Sequence, residues 1–328
     1  MGMRSLFRIT FLMMMYCSTV TSFVTSRYLG KSIQSACFSS ARTDLITSTK
    51  STTVKKIQAL LNKRKKRAEA GQTVVEGPRM VFDLLDNPQT KSLVRQVIVS
   101  VDRPEWTESL ISRHGDDLLI CEGTPEVLDA ISDTVTPQGL VATVDIPPQP
   151  SWTDAPPSNK KQPLYLLLDG VSDPGNVGTL LRSSLAVGVA GVVLLPGCCD
   201  VWNPKAVRSA MGTSFQIPIL SVDSLEEAQQ VMNNWDVDTI YAATMEDSGG
   251  VESLPHYDVA WSQHHGGLMI GSEGNGLSEN VRRAVASGEI RAVHVPMEVG
   301  IESLNAAVCG SVILFEYLRQ CRSKTVSS

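Results

Sequence analysis

Aromatic residues are scarce, at 5% of the 328-residue chain, which argues against an aromatic-rich binding platform. No stretch approaches the roughly 18 uninterrupted apolar residues of a membrane-spanning helix, so no membrane is expected as a partner of the mature form. The seven cysteines form no C-x-x-C pair and the five histidines do not cluster with them. Neither a disulfide framework nor a zinc site is therefore expected, and no metal is assigned. Cys121, Cys198, Cys199, Cys309 and Cys321 read as buried or reduced thiols. The one Gly-Lys-Ser, Gly30-Lys31-Ser32, has Thr25 where a Walker phosphate loop needs its first glycine, which removes that loop. Acid is almost missing from residues 1–68, which hold 13 basic residues and one acidic. The other 260 hold 16 basic and 33 acidic, so a net charge of −5 conceals a cationic end and an anionic body. With 42% hydrophobic and 19% charged residues, the remainder has the composition of a globular protein of about two domains.

The cationic end has two sections. Residues 1–43 carry Arg4, Arg8, Arg27, Lys31 and Arg42, many hydroxyl side chains and no acid. That is the composition of a targeting presequence and cannot build a core. Ile9–Cys17 forms a short apolar core behind Arg4 and Arg8, followed by Ser22-Phe23 and a Ser/Thr/Arg-rich tail. The arrangement resembles the two-part presequences of plastids bounded by extra membranes. A plain mitochondrial or chloroplast presequence is the alternative, and secretion a third. Lys50–Arg67 carries eight basic residues and no acid, with Val54, Ile57, Leu60 and Leu61 at helical spacing. It predicts one amphipathic helix with a cationic outer face, read equally well as an RNA-phosphate contact or as a solvated surface.

Beyond it, strand-like runs alternate with helical ones. Thr73–Val75, Val97–Val99, Leu118–Ile120 and Leu140–Val144 read as strands, and Pro78–Leu85, Glu105–Arg113 and Pro125–Ile131 as helices. The pattern predicts a small α/β domain over 50–146. Residues 147–161 contain Pro147, Pro148, Pro150, Pro156 and Pro157 and read as a semi-rigid linker. Alternation then restarts over 162–322. Its strands are expected at Leu164–Leu168, Val192–Leu195, Ile217–Leu220, Thr239–Ala243, Gly267–Gly271 and Ala292–Val295. Its helices are expected at Asn176–Val187, Pro204–Met211, Ser224–Trp235, Ser278–Ala286 and Ser303–Arg319. Continuous Val/Ile/Leu strands between helices indicate a parallel sheet covered on both faces, with ligands at the strands' C-terminal ends.

Three loops at such ends carry unusual residues. Asp169-Gly-Val-Ser-Asp173-Pro174-Gly-Asn176-Val-Gly178 leads into a helix, with Asn176 as its expected N-cap and Arg182 six positions on. Gly271-Ser-Glu273-Gly274-Asn-Gly276 has the order G-x-x-G-x-G, not the dinucleotide fingerprint, and no ribose-binding acid follows about 20 residues later. Val295-Pro296-Met297-Glu298-Val-Gly300-Ile-Glu-Ser303-Leu304-Asn305 opens the last helix. Ser303 or Asn305 is a candidate cap there, and an amide at the start of so apolar a helix wants a partner. Each loop alone is a weak signal; together, in this order and spacing, they resemble the SpoU (TrmH-like) branch of the SPOUT methyltransferases. The preceding segment, notably Val54–Ile57, Val75–Gly77 and Thr136–Leu140, is similar to that family's substrate-binding domain.

The resemblance implies an S-adenosyl-L-methionine-dependent transfer of a methyl group to a ribose 2′-hydroxyl, of ribosomal RNA first and transfer RNA second. It implies a homodimer, and a C-terminal parallel-sheet domain tied in a trefoil knot behind a small α/β substrate-binding domain. Asn176, Arg182, Glu273, Ser303 and Asn305 would be catalytic. Thr244, Ile270, Gly271, Gly276, Val295, Met297 and Leu304 would line the cofactor site, largely through backbone groups. Family accounts make Arg182 the base; a guanidinium stays protonated, and could instead hold a phosphate and stabilise developing oxyanion charge. Gly300 lies one position later after Pro-Met than in some members and is expected to alter loop shape only. From another class, a catalytically silent RNA-binding protein of the same fold, acting in ribosome assembly, is the main rival. A nicotinamide-dependent dehydrogenase stands far behind.

Overall fold

Short continuous apolar strands and helices of period 3.6 segregate the chain into two sheets. A computed structural model of the chain describes residues 44–115, 118–245, 252–298 and 303–325. The expected presequence over 1–43 and Gly300 lie outside the described residues. The strands are β1 (Asp44–Ile46), β2 (Gln72–Glu76), β3 (Val94–Ser100), β4 (Leu119–Gly123), β5 (Leu140–Asp145), β6 (Leu164–Asp169), β7 (Gly191–Leu194), β8 (Ile219–Ser221), β9 (Thr239–Ala243), β10 (Ser253–Pro255), β11 (Gly266–Gly271) and β12 (Arg291–His294). The helices are α1 (Thr52–Asn62), α2 (Arg64–Ala70), α3 (Pro78–Asp86), α4 (Pro104–His114), α5 (Pro125–Ala130), α6 (Pro174–Val187), α7 (Pro204–Ser209), α8 (Leu225–Asn234), α9 (Glu279–Ala286) and α10 (Ala306–Thr325).

The first sheet is mixed, in the order β1-β4-β3-β5-β2. The second has seven strands in the order β10-β12-β9-β11-β6-β7-β8, every pair parallel. Strand β6 shows why such a sheet is covered on both faces. Leu164, Leu166 and Leu168 point into a core shared with Val177, Leu180 and Leu181 of α6 and Ile313, Leu314 and Tyr317 of α10. Tyr165 and Leu167 point the other way, against Leu225, Ala228 and Val231 of α8 and Val281 and Val285 of α9. Two late strands enter between earlier ones: β11 between β6 and β9, and β12 between β9 and β10.

The two sheets share a core. Val207 and Phe215 of the second half are buried with Val75, Met80, Val81 and Leu84 of the first. Thr73 Oγ1 donates to the Trp202 carbonyl at 2.6 Å, and Asn87 Nδ2 to Gln216 Oε1 at 3.0 Å. The proline-rich segment lies against the second sheet's surroundings, where Trp235 Nε1 donates to the Ser151 carbonyl and Pro156 is buried.

The single basic helix expected over 50–67 is two helices. The chain turns extended at Lys63 (φ −130°, ψ 110°), and α2 starts afresh at Arg64. Val54, Ile57 and Leu60 are buried as the stripe predicts, and Lys55, Lys56, Lys63, Arg64, Lys65 and Lys66 are exposed. Arg67 departs from the expectation of a cationic outer face. It is only 4% exposed and ion-paired to Asp200.

Candidate active site

The first loop descends from β6. Its last residue, Asp169, is 3% exposed, and its Oδ2 accepts from the Ser278 backbone N–H at 2.6 Å, at the start of α9. A buried carboxylate needs such a donor, and this one ties the exit of the glycine loop to β6. Helix α6 begins two residues earlier than the expected Asn176. Asp173, not Asn176, is the N-cap: its Oδ1 accepts from the Asn176 N–H at 2.9 Å and Pro174 occupies the first turn. Asp-Pro ahead of an apolar run is a helix-start signature, and it overrides the asparagine. Gly178 lets α6 and α7 meet, since a Cβ there would stand 2.5 Å from Ser209 Cβ.

The second loop closes on itself after β11. Ser272 and Gly276 exchange backbone hydrogen bonds at 2.9 Å, with Gly276 at φ +65°, so Glu273 rides at the exposed tip. A Cβ on Gly271 would lie 2.6 Å from the Gly276 carbonyl, which leaves only glycine at that position. The third loop ends at α10. Asn305 Oδ1 accepts from the backbone N–H groups of Ala307 (2.9 Å) and Val308 (3.2 Å), so Asn305, not Ser303, caps this helix.

That cap fixes an entire chain of amides. With Oδ1 committed to α10, Asn305 Nδ2 must face outward, and it donates to Asn176 Oδ1 at 3.0 Å. Asn176 Nδ2 in turn donates to Glu273 Oε1. Three residues from three loops, 129 positions apart at the extremes, are therefore hydrogen-bonded in series. Arg182 does not join them. Six residues along α6 carries it about 9 Å and a third of a turn from Asn176, onto an exposed face. Ser303 is exposed beside the cap and takes no part in the chain.

The residues expected around the cofactor lie at neighbouring strand ends. Thr244 follows β9 and donates its N–H to the Val293 carbonyl at 2.9 Å. Ile270 and Gly271 end β11, Gly276 closes its loop, Val295 and Met297 follow β12, and Leu304 precedes α10. The Ile270 side chain is core, against Gly310, so only its backbone is offered. Val295, Met297 and Leu304 are half-buried. Apolar walls around backbone groups fit a flat purine and a sulfonium-bearing chain better than they fit a phosphate-rich ligand. Behind Thr244, its hydroxyl meets Ser253 Oγ at 3.4 Å, and Ser253 Oγ meets the buried His294 Nδ1 at 2.9 Å. Among the described residues, no group of three His, Cys, Asp or Glu side chains is placed to hold a metal ion.

Two family models match the chain: the SpoU rRNA Methylase family over residues 163–315 and the MRM3-like substrate binding domain over 51–142. The mitochondrial rRNA methyltransferase 3A of Danio rerio is 30% identical over 306 residues, covering 81% of this chain and 68% of that one. The chain belongs to the SpoU rRNA methylase family. Another relative, the 23S rRNA (guanosine(2553)-2′-O)-methyltransferase RlmP of Bacillus subtilis, is 28% identical, covering 78% of this chain and 92% of that one. The crystal structure of the SpoU methyltransferase AviRb from Streptomyces viridochromogenes, in complex with AdoMet, superposes with a TM-score of 0.69 at 26% identity over 84% of this chain and 99% of that one. The α/β class with a parallel C-terminal sheet, expected from the sequence, is that of these SPOUT methyltransferases, and a trefoil knot is implied by that fold. Within this SpoU member, sequence reasoning passed over Asp169, Asp173 and the Arg67–Asp200 pair. The Asp173-Pro174 dipeptide was a usable signal for the cap. Nothing local marks Arg67 among its basic neighbours, because its partner lies 133 positions away.

Proposed function

We propose that the protein is an S-adenosylmethionine-dependent RNA 2′-O-ribose methyltransferase of an organelle, acting on ribosomal RNA. The observation that carries this reading is the amide chain Asn305–Asn176–Glu273 at the C-terminal ends of β6 and β11, with the half-buried Leu304 adjoining Asn305 and the half-buried Val295 and Met297 following β12 in the same sheet. Bound S-adenosylmethionine would supply a methyl group on a sulfonium, ready for in-line displacement. The protein's share is alignment and charge. A ribose hydroxyl is a poor nucleophile and needs a group that accepts its proton or stabilises the developing oxyanion. Glu273 carries the anionic acceptor of the constellation, and Asn176 and Asn305 fix its carboxylate against rotation. Arg182 would serve as a cation toward the RNA phosphate. Binding of S-adenosylmethionine by calorimetry, with tritium transfer to unmethylated organellar ribosomal RNA, tests the proposal. Cofactor binding without transfer to any RNA would instead support the silent RNA-binding reading.

The mature protein would be a homodimer. Val308, Val312 and Phe315 form a stripe at i, i+4 and i+7 on α10, and Phe315 is 51% exposed. Such a stripe on a helix otherwise packed in the core asks for an apolar partner. Phe315→Asp is expected to shift the sedimentation coefficient to that of a monomer; an unchanged dimer would exclude this face. Residues 1–43 would direct import, with the plastid as the first compartment and the mitochondrion as the second. A fluorescent fusion of those residues discriminates between them.

A further inference from the structure

The exposed Arg64 and the buried Arg67 lie one helical turn apart at the start of α2, hence on one side of it. Arg67 Nε donates to Asp200 Oδ2 at 2.9 Å and Nη2 to the same oxygen at 2.5 Å, while Nη1 donates to the carbonyls of Leu60 (2.5 Å) and Leu61 (3.1 Å). One guanidinium thus closes the end of α1 and clamps α2 to the loop after β7. Asp200 is held in turn, its Oδ1 accepting from the Trp202 N–H at 3.0 Å. That loop touches the reaction rim. The Cys199 N–H donates to the Val171 carbonyl at 3.0 Å, and Asp173, two residues on, caps the helix that carries Asn176. Arg64 shares the rim's electrostatic environment. Burial pushes the Cys199 thiol up to about 12, Cys198, Asp200 and Asp173 add to the rise, and Arg64 opposes it. The two acids here are committed, Asp200 to Arg67 and Asp173 to its cap, and Arg64 is exposed one turn before that clamp.

We propose that Arg64 holds a backbone phosphate of the RNA next to the acceptor ribose, and that the Arg67–Asp200 pair is the positioning contact that keeps it there. This rests on the methyltransferase reading. A ribose 2′-hydroxyl neighbours its own 3′-phosphate, so a cation at the rim of the site meets that group as the acceptor enters. Nothing in α2 alone would hold Arg64 in register, since the chain is extended at Lys63 and the helix is only seven residues long.

The test is the salt dependence of binding of the full-length chain to an in vitro transcript of organellar ribosomal RNA. Loss of one phosphate contact lowers the slope of log affinity against log salt by about 0.7–0.9, which is about sixfold in affinity near 0.1 M salt. Arg64→Gln is expected to show that loss. Arg67→Gln is expected to show it too, although Arg67 is buried, and Arg67→Lys, which keeps a cation toward Asp200, is expected to restore part of it. Lys66→Gln, whose charge already pairs with Glu69 at 2.7 Å, serves as the control. An unchanged slope in Arg64→Gln, or an equal change in Lys66→Gln, overturns the proposal. Should Arg67→Gln fail to fold, the Arg64 arm decides alone. A slope that falls as expected while the wild-type chain transfers no methyl group would sink the enzymatic reading and keep the phosphate contact.

Discussion

At the scale of single residues, the amide chain assigns different costs to its members. Glu273→Gln preserves a side chain that can accept from Asn176 but removes the anion. It is expected to lower kcat by about 10²–10⁴ with S-adenosylmethionine affinity unchanged, checked by single-turnover transfer and calorimetry. Asn305→Ala removes both the cap of α10 and the donor to Asn176, so turnover and stability should fall together, the latter by about 1 kcal/mol for the lost cap. Arg182→Lys keeps the charge and loses the planar fork, and a large drop in turnover is expected; near wild-type activity would remove Arg182 from the chemistry. The thiols near the site are inert by environment. Burial raises Cys198 to about 11 and Cys199 to about 12, so both stay protonated at neutral pH and should resist iodoacetamide in the folded protein, as mass spectrometry would show.

Elements show where sequence patterns are informative and where they fail. Strands β6, β7, β9, β11 and β12 were legible as short continuous apolar runs buried on both faces, and helices α3, α6, α8 and α9 because each buries a periodic apolar face. Strands β1 and β10 were not, since three residues give no period and β10 includes a proline. The break at Lys63 left no trace in a continuous run of helix-forming residues; it is set by Arg67 turning inward to Asp200. The loops were legible as glycine-rich and polar, and Asn176, Glu273 and Asn305 could be picked out, but their bonding order could not. That order depends on Asn305 committing its carbonyl oxygen to α10. The same loops set a steric test. Gly271→Ala would drive a methyl into the Gly276 carbonyl and is expected to cost about 1–3 kcal/mol by denaturant unfolding, with cofactor affinity falling in parallel.

For the whole molecule, the basic helices are part of the core as well as of the surface. Val54, Ile57 and Leu60 are buried, so excising residues 50–67 would unfold the first sheet rather than simply weaken RNA binding. Neutralising the exposed Lys55, Lys56 and Lys63 to glutamine is the informative change. It is expected to lower RNA affinity and flatten its salt dependence while leaving unfolding temperature within a few degrees. Acid weakens the fold through three histidines. Burial lowers the pKa values of His114, His256 and His264 below their ordinary 6.5, and for His114 it outweighs the attraction of Asp86. The unfolded chain then binds more protons, so stability should decline as pH falls below about 6.5, and His256→Gln should shallow that decline in thermal melts.

The insertion of β11 between β6 and β9 has a temporal meaning. Its partners Gly266 and Leu164 lie about a hundred residues apart, and until β11 arrives the strands that flank it must wait roughly 10 Å from each other with a slot open between them. A nascent chain halted before Gly266 would lack the strand that carries the glycine loop and the helix that Asn305 caps. The rim that joins Asn176, Glu273 and Asn305 is therefore the last part of the protein to come into being, and renatured samples should regain a native far-ultraviolet spectrum well before they regain affinity for the methyl donor.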